Sequence, residues 1–330
     1  MQPLAIHSPA PAGLIFRNGK IGNTLMALPA LDVLRERIPG VRLDMVVDHL
    51  GLELLEGDER IRRLYVFERE SDSLRRQWDL VREFRRQRYD FSLHLRTGVR
   101  NELLAFSARI PNRVGTKLKG SFQFLTHTAA KRSDLHVHEA LRLLLSQALG
   151  RDVRLGPPRL REQASAGEAA RAWLNARGLA EGRYLIFHPS GETTHGAEWA
   201  LRWQSEAMRR LVEATRLPVL VLGAAGEKDA VLPALPQEPA CIPLFGERLS
   251  LVSSVIKRAG LFVGNDSGPA HLAEVWERPK IVMYRDDPDN FAKWAPLDRE
   301  NSLVLFASQA GRNWNDVEAF AAARLGRSLP

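Results

Sequence analysis

The chain alternates short runs of consecutive apolar residues with longer segments in which apolar residues recur every three or four positions. The first pattern is typical of strands buried on both faces, and the second of helices that bury one side. Near the start, an apolar run at 14–16 precedes a helical pattern at 24–38, which ends at Pro39-Gly40, and another apolar run follows at 41–47. This order predicts a βαβ unit, and its repetition predicts an α/β protein.

The same alternation continues through most of the chain. The other predicted strands are residues 64–67, 91–95, 113–115, 184–187, 219–222, 261–263 and 281–284. The other predicted helices are residues 73–88, 101–109, 137–148, 166–177, 205–214, 249–259, 270–276 and 313–325. A stretch with two prolines at 152–161 has the composition of an interdomain linker. We therefore predict a tail at 1–12, a first domain at 13–160, a second domain at 161–312 and a terminal helical segment at 313–330.

Small and polar residues gather after three predicted strands of the second domain, at 190–196, 223–227 and 264–268. Because the carboxyl ends of parallel strands meet at one edge of a sheet, we expect these loops to face one ligand. Glycine N–H groups and hydroxyls can donate to a diphosphate, and a carboxylate such as Glu227 can hold a ribose diol. The pattern indicates a nucleotide-sugar pocket. Neither GxGxxG nor GxxxxGK[ST] spacing supports a dinucleotide or ATPase loop.

The loop at 264–268 has the clearest chemistry. Asp266, Ser267 and Gly268 stand at a predicted helix start, where unpaired backbone N–H groups and the helix dipole favour an anion. His271 lies one turn into that helix and is near enough to share the ligand. The alternative is structural, because Asp or Ser before a helix is often only its N-cap.

The formal net charge is +8, and every basic residue between positions 60 and 100 is arginine. Guanidinium groups suit phosphates and carboxylates, so such a surface could meet nucleic acid, anionic lipid headgroups or an acidic sugar. A solvated arginine-rich face is the simpler alternative. No nucleic-acid-binding motif accompanies the charge, so we predict no nucleic-acid partner.

Several classes of protein are disfavoured by composition. The single cysteine, Cys241, excludes an internal disulfide and a cysteine-based metal cluster. His136 and His138 have no companion ligand at metal spacing, so we expect ordinary histidines and no metal site. No apolar run approaches the ~20 residues that span a bilayer, and the N-terminus lacks the ordered regions of a secretory signal. These features predict a cytoplasmic protein.

Two strings carry a resemblance to a known family. Residues 266–273 (DSGPAHLA) and 20–31 (KIGNTLMALPAL) resemble the hallmarks of the heptosyltransferases, glycosyltransferase family nine. Further matches are residues 89–96 (YDFSLHLR), the predicted helix at 137–150, the loop at 188–203 and the Arg278-Pro279 turn. Their order and spacing hold from about residue 13 to residue 300.

The resemblance implies a GT-B fold, in which two Rossmann-like domains face each other across a cleft and the last helix crosses back to the first domain. It implies inverting transfer of a heptose from ADP-heptose to the inner core of lipopolysaccharide, with no metal ion or cofactor. It also implies an acidic glycolipid acceptor, and we expect a peripheral contact with the inner membrane as a further consequence.

The resemblance assigns donor-binding roles residue by residue. Asp266 would hold the sugar or the surroundings of its phosphate, Ser267 and Gly268 would contact the diphosphate beside His271, and Glu227 would bind the ribose. The full predicted donor set is Ser190, Thr193, Thr194, Arg202, Glu227, Asp266, Ser267, Gly268, His271 and Arg285. For the acceptor we expect basic side chains of the first domain, namely Lys20, Arg75, Arg76, Arg96 and Lys117.

The chain departs from the family pattern at Asn23, where relatives usually have the aspartate proposed as general base. Asparagine cannot accept the proton. Asp48 or His94, at neighbouring strand ends, could replace that base. If neither residue is the base, two explanations are left. Deprotonation of the acceptor contributes little to the rate, or the replacement of aspartate by Asn23 inactivates the enzyme. Because of Asn23, a catalytically silent nucleotide-sugar-binding protein is one alternative function. The other alternative is the same fold with another nucleotide sugar, or with a protein or small-molecule acceptor.

Two other positions differ from the pattern. Leu201 stands where a lysine commonly precedes the Arg-Trp pair, which makes Arg202 the substitute cation or an ordinary surface residue. Arg285 stands where the family often has glycine, and with Lys293 it would add contacts to the donor phosphates or mark a changed donor.

Overall fold

A computed structural model describes residues 2–68, 71–96, 98–117, 124–189, 197–232, 241–309 and 312–326, without the side chains of 197–202, 204 and 230. The chain divides into two compact units. Unit 1 comprises Met1–Arg161 with Ala292–Trp294, and unit 2 comprises Glu162–Phe291 with Ala295–Pro330. The division falls between Arg161 and Glu162, whereas the sequence analysis placed it after residue 160.

Unit 1 is built on a parallel sheet with the order β3-β2-β1-β4-β5-β6. Its strands are β1 (Ala12–Phe16), β2 (Arg42–Val47), β3 (Arg63–Val66), β4 (Phe91–His94), β5 (Asn112–Thr116) and β6 (His127–Ala129). Its helices are α1 (Ile21–Ala27), α2 (Pro29–Arg37), α3 (His49–Leu55), α4 (Leu74–Gln87), α5 (Val99–Ser107) and α6 (Val137–Leu149). This strand order is the Rossmann order.

Unit 2 repeats that arrangement. Its strands are β7 (Leu185–His188), β8 (Val219–Gly223), β9 (Cys241–Phe245), β10 (Leu261–Asn265), β11 (Lys280–Tyr284) and β12 (Ser302–Phe306). They form a parallel sheet in the order β12-β11-β10-β7-β8-β9, which is the Rossmann order counted from the opposite edge. Its helices are α7 (Ala164–Asn175), α8 (Ala197–Thr215), α9 (Lys228–Val231), α10 (Leu249–Lys257), α11 (Gly268–Val275), α12 (Pro288–Trp294) and α13 (Trp314–Leu325), although the last three residues of α12 are counted with unit 1.

Each unit has its own apolar core on the central strands. Leu14 and Phe16 of β1 are fully buried and pack in one cluster with Phe84 of α4. Phe187 of β7 packs in the corresponding cluster of unit 2 with Trp203 of α8. Central parallel strands are covered by helices on both faces, which explains their consecutive apolar residues. The predicted α/β class with two Rossmann-like domains is confirmed.

The predicted helix at 24–38 is wrong in one respect, because the segment forms two helices. The first, α1, ends at Ala27, and the second, α2, has Pro29 at its first position. Proline has no N–H to donate and its fixed φ suits the first turn of a helix, so a new helix begins there.

The N-terminal segment also differs from expectation, and the last helix packs on unit 2. The amide of Leu4 donates to the carbonyl of Ala148 at 2.7 Å, so the predicted tail is anchored to the end of α6, and Ala12 already belongs to β1. Helix α13 packs within unit 2, where the Trp314 ring stacks on Trp203 with centroids 5.7 Å apart. Among the described residues, no helix combines the length and apolar character required to cross a membrane.

Candidate functional site

The order of strands reverses once in each sheet, and this reversal marks a crevice. In unit 1 it lies between β1 and β4, and in unit 2 between β7 and β10. The connections after the two central strands leave toward opposite faces of the sheet, so the carboxyl ends of those strands open a space where α/β sheets bind ligands. Topology therefore provides a candidate site in each unit.

In unit 2 the junction of β10 and α11 borders the crevice. Gly264 lets β10 approach β7, because a Cβ atom at this position would stand 2.8 Å from the carbonyl oxygen of His188. Ser267 is the N-cap of α11, and its Oγ accepts from the N–H of Ala270 at 3.5 Å. The same Oγ lies 3.2 Å from Nδ1 of His188. Side chains thus join the ends of β7 and β10 at a helix start.

His188 adds a neutral polar group to this junction. Burial lowers its pKa to about 4, against an opposing effect of the Glu227 carboxylate. The imidazole is therefore uncharged at neutral pH and has one donor and one acceptor nitrogen. Oε2 of Glu227 accepts from the N–H of Ala224 at 2.7 Å, just beyond β8. Because β10, β7 and β8 are neighbours, Ser267, His188 and Glu227 stand at adjacent strand ends.

A row of three ionisable side chains extends from the crevice along α11. Oδ1 of Asp266 lies 3.8 Å from Nε2 of His271, whose Nδ1 lies 3.8 Å from Oε2 of Glu274. Nδ2 of Asn290 donates to the other oxygen of Asp266 at 3.2 Å. Burial raises the pKa of Asp266, and His271 and Asn290 oppose that effect. The Asp266 carboxylate is thus oriented from two sides and can still accept from a hydroxyl group.

Sequence reasoning missed Glu274 and Asn290. Burial opposes ionisation of Glu274, but its hydrogen bond with His271 and the charge of Lys280 outweigh that effect and lower its pKa. The spacing of three positions between His271 and Glu274 on one helix was a usable signal. Asn290 had no such signal, because it belongs to α12, which the sequence pattern did not predict.

The remaining predicted donor residues are only partly described. Gly268 is the first residue of α11, and Arg285 follows β11 with an exposed side chain whose charge acts on Asp266. Arg202 lies in α8, but its side chain is not described. The other three predicted donor residues, Ser190, Thr193 and Thr194, lie outside the described residues.

In unit 1 the crevice is organised by two arginines. Arg17 follows β1 directly and is buried; its Nε donates to the carbonyl of Asn23 at 2.8 Å and its Nη1 to that of Leu95 at 2.9 Å. Arg96 follows β4, and its Nη1 donates to the carbonyl of Asn18 at 2.5 Å. Burial, together with the charge of Arg96, lowers the pKa of Arg17 to about 9. Arg17, which sequence reasoning missed, thus holds the first turn of α1.

Asp48 anchors the same loop. Its Oδ1 accepts from the N–H of Gly51 at 2.7 Å as the N-cap of α3, and its Oδ2 accepts from the N–H of Gly19 at 2.8 Å. Gly19 has φ +148°, and a Cβ atom there would stand 2.5 Å from the Arg96 guanidinium. Both carboxylate oxygens of Asp48 therefore hold backbone in place. Asn23 lies nearby in the first turn of α1, half-buried, and Lys20 precedes that helix with an exposed side chain.

His94 lies in the core of unit 1. Its ring stacks on Phe16 with centroids 4.6 Å apart and planes 7° apart, and its Nε2 lies 3.0 Å from Oγ of Ser92. The residue is 1% exposed. A base for the hydroxyl of a dissolved acceptor has to reach the surface, and the structure does not bring His94 there.

The burial of His94 predicts a dependence of stability on pH. Burial and the charge of Arg113 lower its pKa to about 3, whereas an unfolded histidine titrates near 6.5. The unfolded state therefore binds the proton first, and the free energy of unfolding should fall by up to about 1.4 kcal/mol per pH unit as the pH decreases from 6.5 toward 3. Urea denaturation at several pH values measures this slope.

The variant His94→Phe keeps a ring beside Phe16 and removes the titrating group, so we expect a shallower slope. The slope that remains comes in part from His188, which is also buried and neutral. His7→Phe, at an exposed position of the N-terminal segment, is the matched control. Equal slopes for His94→Phe and the unchanged protein would contradict the assignment.

The predicted acceptor residues belong to three parts of unit 1. Arg96 and Lys20 border the crevice between β1 and β4. Arg75 and Arg76 are exposed in the first turn of α4, and Arg76 also donates to the carbonyl of Val66 at 3.2 Å. Lys117 is exposed after β5. Within the described ranges, no group of three or more His, Cys, Asp or Glu residues is placed to hold a metal ion.

Comparisons with known proteins agree with this architecture. A family model described as glycosyltransferase family 9 (heptosyltransferase) matches residues 77–320. The chain is 25% identical to lipopolysaccharide heptosyltransferase 2 of Escherichia coli over 237 residues, which cover 68% of this chain and 67% of that protein.

Two solved structures share the fold. A family 9 glycosyltransferase of Veillonella parvula has a TM-score of 0.83 at 19% identity, covering 98% of this chain and 100% of that one. The E. coli ADP-heptose lipopolysaccharide heptosyltransferase II has a TM-score of 0.78 at 20% identity, covering 96% and 98%.

Proposed function

The chain belongs to glycosyltransferase family 9, as its motifs indicated, and on that basis we propose that it transfers a heptose from ADP-heptose to the inner core of lipopolysaccharide. The observation that carries the proposal is the junction of β7, β10 and α11, where Ser267, His188 and Asp266 surround a helix start. The E. coli relative named above is a lipopolysaccharide heptosyltransferase, which supports the choice of donor and acceptor.

The proposed donor position follows from the charges of unit 2. The diphosphate lies at the start of α11, where backbone N–H groups and the helix dipole favour an anion. The neutral His188 and the Ser267 hydroxyl can donate to it, and Arg285 adds positive charge beyond β11. The Asp266 carboxylate accepts from sugar hydroxyls, and Glu227 accepts from the ribose diol.

The proposed reaction is a single displacement at the anomeric carbon. The acceptor oxygen forms its bond from the face opposite the leaving group, while the bond from the anomeric carbon to the β-phosphate oxygen breaks and ADP leaves with the electron pair. The acceptor proton passes to a base or to water. The N–H groups of α11 and His188 stabilise the charge that develops on ADP, so the proposed mechanism does not require a metal ion.

Whether the protein transfers sugar or only binds the donor depends on which group accepts the acceptor proton. Asn23 cannot take the proton, and His94 lies in the core. Of the two replacement bases, Asp48 and His94, Asp48 therefore remains. Its two oxygens already accept hydrogen bonds from two backbone N–H groups. The alternative active form has a late transition state in which deprotonation contributes little. We further propose that the protein works in the cytoplasm, at the periphery of the inner membrane.

Calorimetric titration with ADP-heptose, ADP, UDP and GDP tests the donor. We expect binding to the adenine nucleotides and weak or no binding to UDP and GDP. A transfer assay with a heptose-deficient lipopolysaccharide core then tests the acceptor. Preference for UDP or GDP would overturn the donor assignment, and adenine-selective binding without transfer would favour a silent relative or another acceptor.

The variant Asn23→Asp distinguishes these last two cases. If the wild-type protein is silent for want of a base, Asn23→Asp restores transfer to the same core acceptor, and a basic ionisation enters the pH–rate profile. If the acceptor is wrong, the variant remains inactive on that core while its affinity for ADP is unchanged. Asn18 is not a suitable control, because its side chain donates to the buried carbonyl of Phe67.

A further inference from the structure

Two helices of unit 1 expose large apolar side chains at helical spacing. On α4, Leu74 is 75% exposed and Trp78 is 56% exposed. On α5, Val99, Leu103 and Phe106 are each more than 40% exposed. Leu74 and Trp78 are four positions apart, and Leu103 and Phe106 follow Val99 by four and seven positions. Residues at these spacings lie on one side of a helix, so each helix presents an apolar stripe.

The two stripes belong to one surface. Nε and Nη2 of Arg85 donate to the carbonyl of Ser107 at 3.0 and 2.7 Å, which places the last turns of α4 and α5 side by side. Leu74 and Trp78 precede Arg85 by about three and two whole turns, so they share its side of α4. Both helices connect parallel strands and run in the same direction, so the first turn of the shorter α5 lies at about the level of Trp78, and Leu74 lies one turn beyond it. We name Leu74, Trp78, Val99, Leu103 and Phe106 the α4–α5 face.

Arginine surrounds the α4–α5 face. The exposed arginines of this region are Arg75, Arg76, Arg82, Arg85, Arg86, Arg88, Arg100 and Arg109. The acidic side chains exposed or half-buried on α4 are already paired, Asp79 with Arg82 at 3.4 Å and Glu83 with Arg63 at 3.0 Å. The surroundings of the face therefore carry a positive charge.

One end of the face contains a pocket of about 410 Å³. Phe106 lines it together with Arg85, Arg109 and Arg113, and the Arg113 guanidinium lies 5.4 Å from the Phe106 ring centre. Three guanidinium groups around an open, partly apolar pocket suit a phosphate group that is attached to a hydrophobic body.

We propose that the α4–α5 face binds an anionic lipid bilayer, with its apolar side chains inserted among the headgroups and its arginines paired with lipid phosphates. Exposed apolar patches with basic surroundings are typical of helices that lie in a membrane interface. Anionic lipids give the bilayer a negative surface potential that attracts such arginines. The biological role of this membrane contact rests on the proposed function. If the acceptor is anchored in a lipid bilayer, it would reach the crevice of unit 1 from this side, where α5 follows β4 and Arg96.

Co-sedimentation of the full chain with lipid vesicles tests the proposal. We expect binding to phosphatidylcholine vesicles that contain phosphatidylglycerol, and little binding to phosphatidylcholine alone. The double variant Trp78→Asp with Leu103→Asp should lower binding to the anionic vesicles at least about tenfold, because both apolar contacts are lost. Leu297→Asp, at an exposed apolar position of unit 2, is the matched control and should bind like the wild type.

The charge is tested separately. The pair Arg82→Glu with Arg100→Glu should weaken binding and reduce its sensitivity to salt, whereas Arg171→Glu, exposed on α7, should leave both unchanged. Equal binding to vesicles with and without the anionic lipid, or wild-type binding by the α4–α5 variants, would overturn the proposal. So would a change of oligomeric state in these variants, seen by light scattering, without a change in vesicle binding.

Calorimetry with ADP keeps this proposal apart from the proposed function. An α4–α5 variant that loses vesicle binding but keeps its affinity for ADP supports the docking surface. A wild-type protein that binds ADP and transfers sugar to a deacylated core, but does not bind anionic vesicles, overturns the docking surface and leaves the proposed function intact. Vesicle binding by a protein without ADP affinity would overturn the proposed function alone.

Discussion

The variant Asp266→Ala is expected to lose about 10- to 150-fold in kcat/KM for sugar transfer. Hydrogen bonds to a charged group contribute about 1.5–3 kcal/mol each, and the substitution removes the carboxylate that we expect to hold the donor sugar. It also leaves Nδ2 of Asn290 without its acceptor and removes the negative charge 3.8 Å from His271. Steady-state kinetics and calorimetric titration with the donor measure the effect on turnover and on affinity.

The fold itself should survive this change. Burial raises the pKa of Asp266, so the fold does not gain stability from its ionisation. We therefore expect thermal unfolding close to that of the wild type. Asp289→Ala, an exposed acidic position in the first turn of α12, is the matched control and should retain wild-type kinetics. Unchanged donor affinity and unchanged kcat in Asp266→Ala would refute the assignment of this site.

The variant Arg60→Ala should destabilise unit 1 by about 3–5 kcal/mol, as expected for breaking a buried ion pair from one side. Arg60 is buried and donates to both oxygens of Asp58, at 3.0 and 2.7 Å, and to Asp32 of α2 at 3.0 Å. It also donates to the carbonyl of Arg159 at 2.9 Å. Alanine would leave the Asp58 carboxylate buried without its partner. Urea denaturation measures the loss.

The comparison for Arg60 is a nearby arginine with an exposed partner. Arg63 pairs with Glu83 at 3.0 Å, and its side chain is 48% exposed. Exposed pairs contribute about 1 kcal/mol or less, so Arg63→Ala should have a small effect. Equal losses in the two variants would mean that burial does not set the contribution of Arg60.

The arginine-rich stretch shows how far composition could be interpreted. From the sequence, residues 60–100 were interpreted as one basic surface, with a solvated face as the simpler alternative. The structure separates it into three roles. Arg60 is an internal ion-pair partner, Arg96 holds the loop beside β1, and the arginines of α4 are exposed. Composition could not separate them, because the role of a charge depends on which carboxylates and carbonyls the fold brings to it.

The central strands could be recognised from the sequence, whereas of the four edge strands only β3 was predicted. The structure places β1, β4, β7 and β10 in the middle of the sheets, and each had been predicted as a strand. The unpredicted strands β6, β9 and β12 all lie at sheet edges. An edge strand has one exposed side and no need of a continuous apolar run, which explains why the short β6 was missed. Strand β12 does contain such a run, Leu303 to Phe306, which was overlooked in the sequence. Pro243 within β9 is tolerated there, since an edge strand can do without one backbone donor.

The candidate site was likewise recognisable in part. The sequence pointed to Asp266, Ser267 and His271, because small polar residues between a strand and a helix have a direct chemical meaning. It did not point to Asn290, which reaches Asp266 from a helix 24 positions away, or to Arg17, which resembles any arginine after a strand. His94, predicted as a base from its position at a strand end, lies in the core stacked on Phe16.

The order of apolar and polar residues was enough to determine the α/β class, two domains and a polar loop before α11, because strand and helix periodicity and helix-start chemistry are local properties. Tertiary structure decided which strands became neighbours, and with them the crevices at β1/β4 and β7/β10. It also decided that His188 is neutral, that Asp48 holds a loop and that α4 and α5 share an apolar face. Each of these depends on burial and on partners distant in sequence, which only the packed chain brings together.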